Sequence, residues 1–376
     1  MTRTTKKIAA AGITAAMVLS MAMASTVSTC TEELDERNAN NKPIHVTIGR
    51  EWLGGYDEES GEYLCNSRYP KIFVAGTERE EYSKLQAAFD KLNAQWGLEA
   101  SERYNNEFLS AKEDAEAGTF SGTHTDLSSL YVMRADQHAL SLLKAEEVYS
   151  GGVHGTTDYE CTTIDPATGT AIEFGDVVKD ADAFSKVLFE TFKAKYPECD
   201  WDANADLFDP AKLGELNWTV GYDGVTVCFG SYEAGSYADG RPAALVPFAG
   251  NEAIFNDVFL DVPGSYGISL PDTDRFFFDV NGDGTAEELS LMTTGGDSEY
   301  FTNLIVGVGD NRYDLEAYGF GYAANLEVHD GRTTLLVDVK TESDYNYVVA
   351  FDLTGGEAVM VDPGTFGYAS ECMTLE

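Results

Sequence analysis

The sequence predicts an α+β protein: an antiparallel sheet with packed helices in a first domain, followed by an all-β second domain. Between residues 81 and 116 apolar side chains recur at helical spacing, whereas on either side, at Tyr63–Val74 and over 127–149, they recur at strand spacing. Beyond about residue 258 only short extended runs remain, separated by glycine-bearing turns. With 43% apolar and 12% aromatic residues among 376, the chain has enough to fill two cores, which excludes a disordered protein.

The first 24 residues carry Arg3, Lys6 and Lys7, then an apolar run from 8 to 24 that closes on Ala22-Met23-Ala24. That order of charged, apolar and small residues is expected of an export signal cleaved after Ala24. Residues 25–43 are polar and read as a flexible spacer. Within it Cys30 is a candidate for lipidation, although Thr29 before it is a poor fit. Cleavage after Ala24 leaves six cysteines, Cys30, Cys65, Cys161, Cys199, Cys228 and Cys372. An even set outside the cell suggests at least one disulfide among the four from Cys65 to Cys228, whereas lipidation of Cys30 would leave five thiols.

The first domain is expected over 44–257. A strand at 44–48 and another at Tyr63–Val74 precede a helix with Tyr82, Leu85, Phe89, Leu92 and Trp96 on one face, interrupted at Gly97. A second helix over 101–116 groups Tyr104, Phe108, Ala111 and Ala115, a stripe read as core. Two strands over 127–149 bend at Asp136-Gln137, and a hairpin follows, with strands at 158–164 and 170–174 about the turn Asp165-Pro166-Ala167-Thr168-Gly169. Asp182 is placed to cap a helix that buries Phe184, Val187, Leu188, Phe192 and Tyr196. Strands at 218–229 and 243–248 close the domain, and the all-β domain spans 258–376.

Between Tyr149 and Asp176 the chain reads Y-S-G-G-V-H-G, a strand, then D-P-A-T-G-T-A-I-E-F-G-D. Gly151, Gly152 and Gly155 allow positive φ around His154, as a tight, buried turn would require. With the later aromatic loop F-G-S-Y-E-A-G-S-Y-A-D-G over 229–240, this spelling resembles the RsiV-like C-terminal domain family, domain of unknown function 3298, with its preceding PdaC-associated segment. The resemblance covers about 63–250. It implies a bacterial extracellular or cell-envelope protein that acts as a non-catalytic binding or sensor module for a cell-wall component or a lysozyme-like protein. Tyr232 and Tyr237 in the aromatic loop, together with His154, are the ligand-binding candidates. For His154 a hydrogen-bonded structural role is the stronger reading, because no second histidine lies near it in sequence.

The formal charge of −39 repels nucleic acid and anionic lipid, so the expected partners are an envelope ligand or a secreted basic protein, with membrane contact only through a lipid anchor. No G-x-S-x-G, H-E-x-x-H or P-loop is present, nor the Asp and His metal motifs of a deacetylase. The chain is therefore expected not to be an enzyme. The alternatives are a carbohydrate- or peptidoglycan-active hydrolase with scattered carboxylates, or a structural surface protein. The sharpest local chemistry is D-V-N-G-D-G-T-A-E, where Asp279, Asn281, Asp283, the Thr285 carbonyl and Glu287 offer oxygens and Gly284 permits the curl. Such a set suits Ca2+, as in strand-loop-strand calcium motifs; Ser290 in place of a twelfth-position glutamate argues against an EF-hand. A plain acidic hairpin turn is the alternative.

Overall fold

Alternation over the segment after the spacer builds a strand β2 (Val46–Tyr56) and its antiparallel neighbour β3 (Tyr63–Val74). The computed structural model describes residues 41–57, 61–271, 275–296, 300–315, 318–341 and 347–362, with the backbone alone at 5–7 and 347. Cys30, Cys372 and the expected export signal apart from residues 5–7 lie outside the described residues. A strand β1 (Thr5–Lys7) runs parallel to a C-terminal strand introduced below.

Next to β3 come β4 (His124–Ala135), β5 (Leu140–Tyr149), β6 (Thr156–Asp165) and the short β7 (Thr170–Ala171), giving a six-stranded sheet in the order β2-β3-β4-β5-β6-β7. Within this sheet, among the described residues, only β3 and β4 pair in parallel, from Cys65 with His124 to Arg68 with Leu127. The expected second hairpin strand stops at Ala171, because a capping box between Glu173 and Asp176 starts a helical turn, α3 (Phe174–Val177).

A helical turn α1 (Glu78–Glu81) leads into α2 (Ser83–Ala117), a single helix of 35 residues where the sequence suggests two. One glycine costs only about 1 kcal/mol in a helix interior, less than re-nucleating a second helix. Gly118 at φ 71° then ends the helix in the left-handed conformation. Leu85, Phe89 and Trp96 bury against Ile72, Val74, Leu130, Leu142 and Ile164, as the stripe predicts. Gln86 and Asn93 share this buried face. Beyond Arg68 the β3 backbone has left the β4 ladder, and the helix supplies the missing partners. Asn93 accepts from Ile72 N at 2.8 Å and donates to Ile72 O at 2.9 Å, while Gln86 accepts from Val74 N at 2.9 Å.

A second core forms where α4 (Ala181–Lys195) covers a three-stranded antiparallel sheet of β8 (Asn217–Val220), β9 (Gly224–Cys228) and β10 (Ala243–Pro247). Phe184, Leu188 and Phe192 lie buried as expected, joined by Trp201, Phe208 and Phe229. The cap is Asp180, whose side chain accepts from Ala183 N at 2.9 Å; Asp182 falls inside the first turn. The run expected as one strand over 218–229 is two, turned at Gly221, where its N–H donates to Gly224 O at 2.8 Å.

The C-terminal part is mostly strand. One sheet orders β11 (Ser265–Ser269), β16 (Gly321–His329), β17 (Arg332–Lys340), β18 (Tyr347–Asp352) and β19 (Val359–Val361). The other orders β1, β15 (Asn311–Asp314), β14 (Asn303–Val308), β13 (Glu287–Thr294) and β12 (Phe276–Phe278). Asp330 and Gly331, both at positive φ, close the β16–β17 hairpin as their dipeptide predicts. This part does not bury its apolar face alone. Phe278, Leu289, Val306, Leu326, Val337 and Phe351 form one cluster with Met133, Leu143, Tyr159 and Cys228 from the segment before residue 258. Fully buried Arg134 adds a polar clasp, donating to Phe259 O and Asp261 O, each at 2.8 Å, and pairing with buried Asp136 at 2.9 Å. Among the described residues strand makes up about 42% of this α+β fold, beside four helices.

Candidate functional site

Two loops far apart in sequence meet at one exposed place. The first, between β5 and β6, holds Gly151 at φ 80° and Gly152 at φ 95°, which a residue with a Cβ rarely adopts. Gly155 serves by close approach instead of positive φ: a Cβ there would stand 2.6 Å from the Val148 carbonyl oxygen. The second loop follows β9. Gly230 N donates to the Glu233 carboxylate at 2.7 Å, and Ser236 with Asp239 form a capping box over a single 3-10 turn. Between these fastenings Tyr232 is held at φ 69°, a strained value for an aromatic residue.

His154 stacks on Tyr237 with centroids 3.7 Å apart and planes 15° from parallel, while Tyr232 lies tilted beside both. His154 Nδ1 donates to Gly155 O at 3.0 Å, which leaves Nε2 as acceptor for the Tyr232 hydroxyl at 3.5 Å. The histidine is thus hydrogen-bonded, but its turn is exposed and not buried as the glycines suggest: Val153 is 98% accessible, Tyr232 52% and Tyr237 43%. All three ligand-binding candidates of the sequence reading come together here. Three rings with accessible faces can cover an apolar or sugar surface and still offer polar edges.

The acidic loop closes the β12–β13 hairpin. The Asp279 carboxylate accepts from Asp283 N at 3.1 Å and Gly284 N at 2.8 Å; Asn281 Oδ1 accepts from Asp283 N and Asp283 Oδ1 from Thr285 N, each at 2.8 Å. Glu287 receives Asn281 Nδ2 at 3.1 Å and Val280 N at 3.0 Å. Burial first, then the Asp279 and Asp283 charges, push the Glu287 carboxyl up. Among the described residues no group of three or more His, Cys, Asp or Glu side chains converges on a point that could hold a metal ion. Asp223, which the sequence did not single out, accepts from Asp279 N at 3.1 Å; burial pushes it up to about 7.

Another polar cluster lies under α2. His124 is fully buried, with Nδ1 3.2 Å from Glu107 Oε2 and Nε2 3.6 Å from Asp114 Oδ2. Its β3 partner Cys65 is pushed up to about 12, by burial and then by the charges of Glu107 and Asp126, so this thiol stays protonated and is a poor nucleophile. His124 stands alone in sequence and carried no signal; the packing of α2 on the sheet brings Glu107 and Asp114 to it, and the β3–β4 register brings Cys65. Cys65, Cys161, Cys199 and Cys228 are all free thiols.

Residues 175–249 match the model of the family described as protein of unknown function (DUF3298). The matched range contains Tyr232 and Tyr237 and begins after His154, so the S-G-G-x-H-G spelling lies outside it. Two solved structures of that family are similar. One, from Bacteroides fragilis, has 14% identity over 58% of this chain and 96% of its own, with a TM-score of 0.43. The other, from Pseudomonas aeruginosa, has 14% identity over 59% of this chain and 98% of its own, with a TM-score of 0.39. Likeness this distant adds nothing about function. No curated protein matches the chain. Among the described residues no helix is long and apolar enough to cross a membrane.

Proposed function

We propose that the protein is a non-catalytic binding module of a bacterial cell envelope, and that its ligand surface is the aromatic platform of His154, Tyr232 and Tyr237. The observation that carries this reading is the exposed 3.7 Å stack of His154 on Tyr237, assembled from two loops and flanked by a tyrosine in strained backbone. Backbone strain and exposed apolar rings both oppose stability, and their coincidence on a rigid scaffold is characteristic of binding sites. A cell-wall saccharide fits best, since sugar faces stack on aromatic rings and bear no positive charge requirement. The export-signal pattern of residues 1–24 and the RsiV-like spelling support the envelope as the compartment.

The acidic loop belongs to the same reading as a calcium site. Asp279, Asn281, Asp283, Glu287 and the Thr285 carbonyl would hold the ion, and its charge would offset the repulsion from Asp279 and Asp283 that adds to burial in raising Glu287. Calorimetric titration with solubilised peptidoglycan fragments, and separately with a basic lysozyme, tests the function. Saturable binding of the fragments that Tyr237→Ala weakens at least tenfold is expected. Equal heats for both proteins, or binding of lysozyme alone, would overturn the saccharide reading.

A further inference from the structure

We propose that His124 is a proton-operated latch on the aromatic platform: a proton taken up at Nε2 closes the ring onto Asp114 and fixes the β5–β6 loop that carries His154. Its effect on a ligand rests on the platform being the binding surface; its effect on the loop does not. His124 opens β4 and is fully buried, with Nδ1 3.2 Å from Glu107 Oε2. An ionised carboxylate only accepts, so Nδ1 donates, and in the neutral ring Nε2 then carries a lone pair. Among the described residues Nε2 has no hydrogen-bond partner, and what faces it is another acceptor, Asp114 Oδ2, at 3.6 Å. Two acceptors thus confront each other with no proton between them, an arrangement that is costly for a buried atom.

The same groups touch the platform loop. A Cβ on Gly151 would lie 3.3 Å from His124 Nε2, 3.5 Å from Ser121 Oγ and 3.9 Å from Asp114 Oδ2, so the loop backbone passes directly over the unpartnered nitrogen. Ser121 Oγ accepts from Gly152 N at 3.4 Å, and the Tyr149 hydroxyl donates to Gly152 O at 3.1 Å. Just beyond Gly152 comes His154, stacked on Tyr237. Asp114 organises the chain that leads from α2 to Ser121. Its carbonyl accepts from Thr119 N at 2.9 Å and from Phe120 N at 3.1 Å, and its Oδ1 accepts from Thr119 Oγ1 at 2.9 Å. One oxygen of the Asp114 carboxylate is therefore anchored while the other is presented to His124.

Histidine is the side chain that ordinarily exchanges a proton between about pH 5 and 8. The proton comes from solvent and forms one N–H bond at Nε2. The imidazolium then donates from both nitrogens, to Glu107 and to Asp114, and the second contact shortens to the about 2.7–2.9 Å of a charge-assisted hydrogen bond. The remaining charges around the ring are already matched. Arg103 of α2 pairs with Asp126 of β4 at 3.1 Å and with Glu146 of β5 at 2.9 Å, and the Cys65 thiol of β3 stays protonated. The Phe120 ring, 6.1 Å from the imidazole between centroids, is neutral. In acid the new bond draws Asp114, and with it the turn over 119–121, onto the ring beneath Gly151, so the loop is held. At higher pH carboxylate and lone pair stay apart, and the loop rests on the long Gly152–Ser121 hydrogen bond and the Tyr149 hydroxyl.

The test is nitrogen NMR of the full chain between about pH 5 and 8, following the ring nitrogens of His124 and the amides of Gly151 and Gly152. His124 Nε2 should pass from an acceptor to a protonated nitrogen, and both amides should move with the same midpoint. Asp114→Asn isolates the latch without touching the core, because the Asp114 side chain is 39% exposed. The asparagine offers an N–H to the neutral ring and an oxygen to the protonated one, so its loop amides should no longer follow the ring. His154 titrates on its own; its midpoint is read from its own ring nitrogens and is common to both proteins. Solubilised peptidoglycan fragments should bind at least about fivefold more tightly near pH 5.5 than near pH 8, a ratio that Asp114→Asn lowers. Fragments that bind at neither pH would count against the platform as the binding surface, while the coupling of ring to loop would still decide the latch. A His124 ring that does not titrate in this range, amides that ignore its midpoint, or amides that follow it equally in Asp114→Asn would overturn the proposal.

Discussion

His154 and Tyr237 lie face to face at 3.7 Å although one ends the β5–β6 connection and the other sits in the loop after β9. The stack leaves Tyr237 partly open to solvent and ties the orientation of the histidine to that of the second loop. Tyr237→Ala should therefore weaken fragment binding at least tenfold while moving the melting midpoint little, because an exposed ring contributes little to stability. Titration calorimetry paired with thermal unfolding separates the two effects.

Tyr232 offers the complementary experiment. Glycine adopts φ 69° without a steric penalty, so Tyr232→Gly should leave stability unchanged or raise it by about 0.5–1 kcal/mol, yet reduce binding by removing a ring. Chemical denaturation and ligand titration of this variant should move in opposite directions.

Asn93 carries both hydrogen bonds of a β3 residue that has no strand partner on that side. Asn93→Leu, similar in size, should strand Ile72 N–H and C=O in the core and destabilise the protein by about 2–3 kcal/mol. Urea unfolding with an unchanged slope is the expected signature.

Glu327 on β16 is half-buried, and burial raises it to about 6 from an ordinary value near 4.5. An acid whose folded value is raised favours the folded state below the unfolded value and loses that contribution as pH rises through the folded one. Stability attributable to this group should thus fall between about pH 4.5 and 6, by about 1 kcal/mol once its partial contact with water is allowed for. Glu327→Gln should flatten that step, raising the melting midpoint at pH 7.5 and leaving it unchanged at pH 4.

Calcium at the acidic loop should stabilise the protein by roughly 1.4 kcal/mol at ten times a dissociation constant of about 10⁻⁴–10⁻³ M. Because Phe278 and Leu289 beside the loop share a cluster with Met133 and Leu143, the whole unfolding transition should shift and not the C-terminal strands alone. Asp283→Ala should abolish the shift. Identical melting in excess calcium and in chelator would identify the loop as a hydrogen-bonded acidic hairpin.

Much of the secondary structure was legible in the sequence. The extended run Tyr63–Val74 is a strand as its sequence reads, and the Leu85, Phe89, Trp96 stripe marked the buried face of α2. Each such signal is local: side-chain period and turn chemistry act over a few residues. Gly97 misled because a glycine weakens a helix without ending one, and whether it ends depends on the packing at either side.

The acidic loop and the three rings of the platform were also named by their sequence, as were the four cysteines from which a disulfide would be drawn. What only the tertiary structure decided is which of these groups meet. Positive φ at Gly151 and Gly152 says that a backbone turns, not whether the turn is buried, so the exposure of His154 followed from the packing of β6 against the β9 loop. Cysteine parity gives a count and does not say which thiols come near one another; the four described ones are free. The apolar cluster joining Leu143 to Phe278 across residue 258 is of the same kind. Contacts between residues distant in sequence arise from shape and burial in three dimensions, which a local period does not encode.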